Sequence, residues 1–142
     1  MFLSHRNIAD LQHFLMDAAS RCVIAGNAPR EEVDELLSSA ASLDYVLLVS
    51  SEHAGEAIPD DAGVAESVRA QIARAVAAAL TYAERMLRAP DEAFNEFVER
   101  YVRVNRLFDV LRALRECGAL SDDDSAFRIL TLANDILERR RA

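Results

Sequence analysis

Lysine is absent from this sequence: all 16 basic side chains are arginines, set against 24 acidic ones. Without lysine there is no Schiff-base catalysis, no anchor for pyridoxal phosphate and no phosphate-binding lysine of a P-loop. A GC-rich bacterial coding bias accounts for this absence and also for the abundance of alanine. Tryptophan is missing too, and aromatics make up only 6% of the residues. The four glycines and three prolines are too few for the many turns of a β-sandwich or barrel. The glycines are also isolated, which excludes a Gly-rich phosphate cradle and a Gly-x-Ser-x-Gly nucleophile elbow. Cys22 and Cys117, far apart, form neither a metal-binding pair nor a disulfide framework, so a reducing compartment is expected. No uncharged apolar run approaches the roughly 20 residues that span a bilayer. The opening residues Met1-Phe2-Leu3-Ser4-His5-Arg6 reach a charge before any apolar run of signal-peptide length. These features lead us to expect a cytoplasmic protein without a membrane segment, a pattern that a substrate of signal-less secretion would share.

What is present is charge of uneven sign and apolar residues at helical spacing. The formal net charge is -8. Residues 1–68 carry twelve acids and three arginines, whereas residues 69–142 carry twelve acids and thirteen arginines. The first half repels nucleic acid and anionic lipid, and neither is expected as a partner. Hydrophobic residues are 51% of the chain, and 142 residues suffice to bury a core without disulfide or metal staples. With so much Ala, Leu, Glu and Arg, helix is the favoured conformation.

The periodicity predicts about five helices. Ile8, Leu11, Leu15, Ala18 and Cys22 mark the first, from about Asn7 to Ala25, with Ser4 or Asn7 as cap and Gly26-Asn27 as its left-handed exit. Pro29 and the acids Glu31, Glu32, Asp34 and Glu35 open the second, since carboxylates offset the positive helix end. From Leu43 to Val49 this segment is apolar nearly all round. A buried strand would read alike, but length and context favour a helix enclosed by other helices or by a second subunit. Residues 54–62 read as a loop. A third helix, from about Gly63 to Arg88, carries a seam of Ala65, Val68, Ile72, Ala75, Ala79, Tyr82 and Met86. Pro90 and Asp91 open a fourth, with Phe94, Phe97, Tyr101, Val104, Phe108 and Leu111 in its seam, and Gly118 ends it. Ser121 to Asp124 is a capping-box start for a C-terminal helix through about Arg139. Short links between the first and second, third and fourth, and fourth and fifth helices make those neighbours antiparallel. The expected fold is an all-α antiparallel bundle, four long amphipathic helices plus a C-terminal one, in a single domain over residues 1–142.

Few constellations suggest chemistry. Folding the first two helices together brings His5 level with His53, and Glu56 follows at i+3. Two imidazoles and a carboxylate are a donor set for zinc, nickel or iron, while solvated helix ends explain the same residues without a metal. The Glu-x-x-His pairs of di-metal bundles are missing, and His13 falls on the outer side of its helix. Glu84/Arg88, Glu96/Arg100 and Glu99/Arg103 have the spacing of i,i+4 surface pairs. A helix-turn-helix at Cys117–Ser125 would drive three aspartates into DNA phosphate and is rejected. DNA mimicry by the acidic half would need denser carboxylates than residues 31–35 and 52–61 supply.

No catalytic set emerges, and neither cofactor nor enzyme activity is expected. The apolar periodicity exceeds what a monomer needs, which points to an interaction or regulatory module. It would bind a protein partner or form a homodimer through Leu43, Val46, Leu47, Leu48, Val49, Val76, Leu80 and Leu87. Arg100, Arg103 and Arg106, with the Glu31–Glu35 cluster, would supply charged rims. Two alternatives are a lipophilic-ligand site lined by Tyr82, Met86, Phe97, Tyr101 and Phe108, and a metal-dependent enzyme built on His5, His53 and Glu56.

Overall fold

Ile8, Leu11, Leu15, Ala18 and Cys22 fall along one side of a 3.6-residue helix, and burying that side organises the N-terminal third of the chain. In the computed structural model, which describes residues 1–26, 28–59, 63–89, 94–121 and 125–141, they lie on α1 (His5–Ala25), all of them buried. Gly26 ends α1 at φ 67°, a left-handed conformation that glycine adopts without a Cβ penalty. Its N–H donates to the Cys22 carbonyl at 3.0 Å. Pro29, lacking an N–H, precedes α2 (Arg30–Glu52), and its carbonyl accepts from Glu32 and Val33. Then come α3 (Val64–Arg88), α4 (Phe94–Glu116) and α5 (Ser125–Arg141). The described residues contain five helices and no strand, so the chain is an all-α bundle.

The segment Leu43–Val49 is helical, and the structure resolves what encloses it. Leu43, Val46 and Val49 are buried by this chain's own helices, while Asp44, Tyr45 and Leu48 face outward. The α1/α2 and α2/α3 packings are the most extensive in the molecule. Cross-helix bonds fix their direction. His5 meets Ser50 and Ser51 near one end, and Gln12 meets Ala40 and Asp44 further along, so α1 and α2 run in opposite senses. Between α2 and α3, Arg74 reaches Glu35, Ser38 and Ser42, and Arg85 reaches Glu32.

Helix α3 is the shared wall, packing on all four others. Its buried face alternates Ala65, Ala75, Ala79 and Ala83 with Val68, Ile72 and Tyr82. Small residues let a neighbouring backbone approach closely. Helices α4 and α5 form a second pair against this wall, through Val104, Leu107, Leu111 and Leu114 on α4 and Ile129 and Ala133 on α5.

Ile58 lies in the stretch read as an open loop, yet it is 1% exposed and packs into the core. Its N–H donates to the Met1 carbonyl at 2.7 Å. A single isoleucine among polar residues carries no periodic signal, which is why the sequence pattern does not mark it. The expected opening of the fourth helix at Pro90-Asp91, the capping triplet Asp122–Asp124 and the exit residue Asn27 lie outside the described residues.

Candidate functional site

A concavity lies where the C-terminal ends of α1 and α3 meet the N-terminal half of α4. It is an open groove of about 970 Å³, at the upper end of the few hundred to about 1,000 Å³ usual for small-molecule sites. Ile24 and Ala25 of α1 supply exposed apolar surface, and the buried Cys22 of α1 lies beneath with Tyr82 and Met86 of α3. Arg21, Arg85, Arg88, Arg100 and Arg103 bring five guanidinium groups to its lining, against the carboxylates of Glu84, Glu96 and Glu99. Its lining is therefore cationic on balance, in a protein whose net charge is -8.

Periodicity positions these side chains. Arg85 and Arg88 leave α3 one turn apart, as Arg100 and Arg103 leave α4, and the two helices present these pairs to one another. Arg85 donates from Nε to Glu32 at 2.9 Å and from an Nη to the Cys22 sulfur at 3.0 Å. Arg103 approaches Asp17 at 3.5 Å, and its other Nη lies 3.4 Å from the Met86 sulfur. Its Nε is buried with no hydrogen-bond partner. Arg100 donates to the Met86 carbonyl at 2.9 Å, which also accepts the Ala89 N–H at 3.4 Å at the end of α3. Arg21 joins Asp17 at 2.9 Å and Glu99 at 3.4 Å, while Arg88 joins Glu84 at 3.2 Å.

Burial governs the two ionisable groups on the cavity floor. It pushes the Cys22 thiol up, because a thiolate would lose its hydration, and the neighbouring Arg85 only partly opposes this. It likewise raises the Tyr82 phenol, with Arg103 pulling the other way. Both stay protonated and neutral near pH 7, so the floor offers a thiol and a phenol rather than a nucleophilic thiolate.

The ligand site expected from the sequence is divided by the structure. Tyr82 and Met86 line the cavity, but Phe97, Tyr101 and Phe108 are not part of its lining. Phe108 stacks edge-on against Phe127 of α5 at 5.8 Å, and the Tyr101 hydroxyl donates to Asn134 of α5 at 2.7 Å. Phe97, 2% exposed, lies 6.4 Å from the Tyr101 ring. Helix α5 occupies the side of α4 to which the aromatic seam was assigned, and the cavity opens on the arginine side instead. The i,i+4 reading of Glu99/Arg103 changes for the same reason, since Arg103 turns inward to Asp17 and Glu99 crosses to Arg21.

His5, His53 and Glu56 are not gathered into a metal site. Helix α2 ends at Glu52, so Glu56 does not continue its face, and its N–H instead closes a turn onto the His53 carbonyl at 2.8 Å. His5 Nδ1 lies 3.2 Å from the hydroxyls of Ser50 and Ser51. Ser50 donates its own proton to the Leu47 carbonyl, so this contact ties α1 to the end of α2 rather than activating a nucleophile. Among the described residues no three His, Cys, Asp or Glu side chains converge to hold a metal ion. Among the described residues no helix is long and apolar enough to cross a membrane.

The residues assigned to a partner face divide as well. Leu43, Val46, Val49, Val76 and Leu87 are buried within the chain, and Leu47 and Leu80 are half-buried. Of the eight only Leu48, 57% exposed, has substantial surface to offer. It belongs to a different stripe, in which Leu37, Ala41, Tyr45 and Leu48 follow one another along the outer side of α2, all exposed. Leu37 and Tyr45 are 49% and 41% exposed. Apolar residues at every third or fourth position on the free side of a helix were the available signal. It was masked by the stronger buried seam one residue out of phase. Compared with known protein families, curated proteins and solved structures, the chain has no match.

Proposed function

We propose that the protein is a non-enzymatic interaction module whose working surface is the outer face of α2, occupied by the same face of a second copy. The observation that carries this reading is the exposed stripe Leu37–Ala41–Tyr45–Leu48. Burying one such side chain is worth roughly 1.5–3 kcal/mol relative to leaving it in water. Helix α2 is acidic overall, and self-pairing offers its single arginine one complementary contact. If two α2 helices cross antiparallel about Ala41, Leu37 faces Tyr45 of the other copy. The small Ala41 side chains meet at the two-fold axis, and Arg30 faces Glu52. Arg30 is held only loosely at home, 3.8 Å from Asp34 with its side chain 91% exposed. A cytoplasmic setting fits the two free cysteines.

Sedimentation equilibrium tests the reading. The wild-type chain should be a dimer at micromolar concentration, and Leu37→Glu with Leu48→Glu should give a folded monomer. Arg30→Glu should weaken association, and the exchanged pair Arg30→Glu with Glu52→Arg should restore it. A wild-type monomer, or an exchanged pair no better than the single variant, removes this face as the dimer contact.

A further inference from the structure

Two guanidinium groups on the cavity between α1, α3 and α4 end on sulfur atoms. Arg85 donates to Cys22 Sγ at 3.0 Å, and Arg103 to Met86 Sδ at 3.4 Å. A neutral thiol and a thioether are weak acceptors, whereas an oxygen anion on the same N–H groups makes a charge-assisted bond about twice as strong as a neutral one. Arg103 is the less compensated of the two. Its side chain is 17% exposed, its contact with Asp17 is long at 3.5 Å, and its Nε is sealed from solvent without an acceptor. Burying a guanidinium is costly unless its donors and its charge are answered, and here they are answered only in part. Ile24, 82% exposed, and the exposed Ala25 supply apolar surface beside these cations, next to the buried Tyr82 and Met86 side chains.

We propose that this cavity binds a small amphiphilic anion, an oxyanion head carrying an apolar body. The head replaces Cys22 and Met86 as acceptor for the outer nitrogens of Arg85 and Arg103, and the body lies against Ile24 and Ala25. A carboxylate and a phosphate head share this chemistry, and a guanidinium fork accommodates either. No residue of α2 lines the cavity, so this site stands or falls independently of the dimer face.

The experiment titrates the full-length protein with octanoate, octyl phosphate and the uncharged analogue octanol, by calorimetry and by the methyl resonances of the three methionines. At least one of the two anions should saturate at one site per chain, and octanol should bind roughly tenfold more weakly or not at all. Whichever anion binds more tightly identifies the head. The Met86 methyl should shift on binding while those of Met1 and Met16 stay in place. Arg85→Gln and Arg103→Gln should each weaken binding roughly tenfold, and Arg139→Gln should leave it unchanged. The Met86 shift is read on the wild-type protein and remains decisive if Arg103→Gln fails to fold. Absence of saturable binding, equal binding of octanol, or saturation without movement of Met86 would each overturn the proposal.

Discussion

Arg74 and Glu35 show how one pair of surface residues fastens two helices. The guanidinium grips both carboxylate oxygens, at 3.0 and 3.3 Å, and also donates to the hydroxyls of Ser38 and Ser42. Ser39 adds a hydrogen bond to the same carboxylate at 3.1 Å. These bonds favour the charged form, so the Glu35 carboxyl sits below the usual glutamate range, with Arg74 as the main cause. A carboxyl whose folded pKa lies below its unfolded one contributes fully above the unfolded value, about 4.3 for glutamate. That contribution drains away as pH falls through the lower folded value. Unfolding free energy measured against pH should therefore decline on acidification below about pH 4.3, and less steeply in Arg74→Gln. In the same variant an NMR titration should return Glu35 to an ordinary glutamate pKa, and an unchanged titration would show that Arg74 is not the cause. None of this was legible in the sequence, because Glu35 and Arg74 lie 39 positions apart and no local spacing connects them.

Elements were far more legible than the pairs between them. The Leu11–Leu15–Ala18–Cys22 stripe, the left-handed exit at Gly26 and the proline-led start of α2 follow from helix period and cap chemistry, and the structure contains each of them. What periodicity could not decide was which of two neighbouring stripes turns inward. On α2 the inner seam was Leu36–Leu43–Val46–Val49, leaving Leu37 and Leu48 outside. On α4 the aromatic seam met α5 instead of framing a cavity. Nor could it reveal the arginine cavity, because i,i+4 spacing to a glutamate looked sufficient to explain Arg103. The cap at Gly26 gives a direct test at this scale. A Cβ added there meets no atom within 4 Å, so Gly26→Ala carries only the backbone penalty of the left-handed region, about 1–2 kcal/mol. Thermal unfolding should show that loss, and Gly26→Asn a smaller one, since asparagine tolerates this conformation better. Equal losses would mean that the turn rearranges.

Across the whole molecule, packing is unequal. The α1/α2 and α2/α3 contacts are the broadest, and α5 has fewer residues sealed from solvent, Ile129 and Ala133 among them. Elements with few buried apolar contacts open at lower free energy than the global transition. Native-state hydrogen exchange should therefore find α5 amides opening ahead of those in α1 and α3, with protection in α3 tracking global stability. Uniform protection across all five helices would show that α4 and α5 unfold only together with the rest.

The alanine-rich wall that every other helix leans on also has a bearing on where the chain can be cut. A backbone break in the exposed turn around Gly55 leaves residues 1–55 with a complete hairpin but an uncovered flank. It leaves residues 56–142 with the piece that fits that flank. Neither half can hide its apolar side alone, and each carries the other's missing surface. That is the design requirement of a split reporter, whose two parts stay silent until something brings them together.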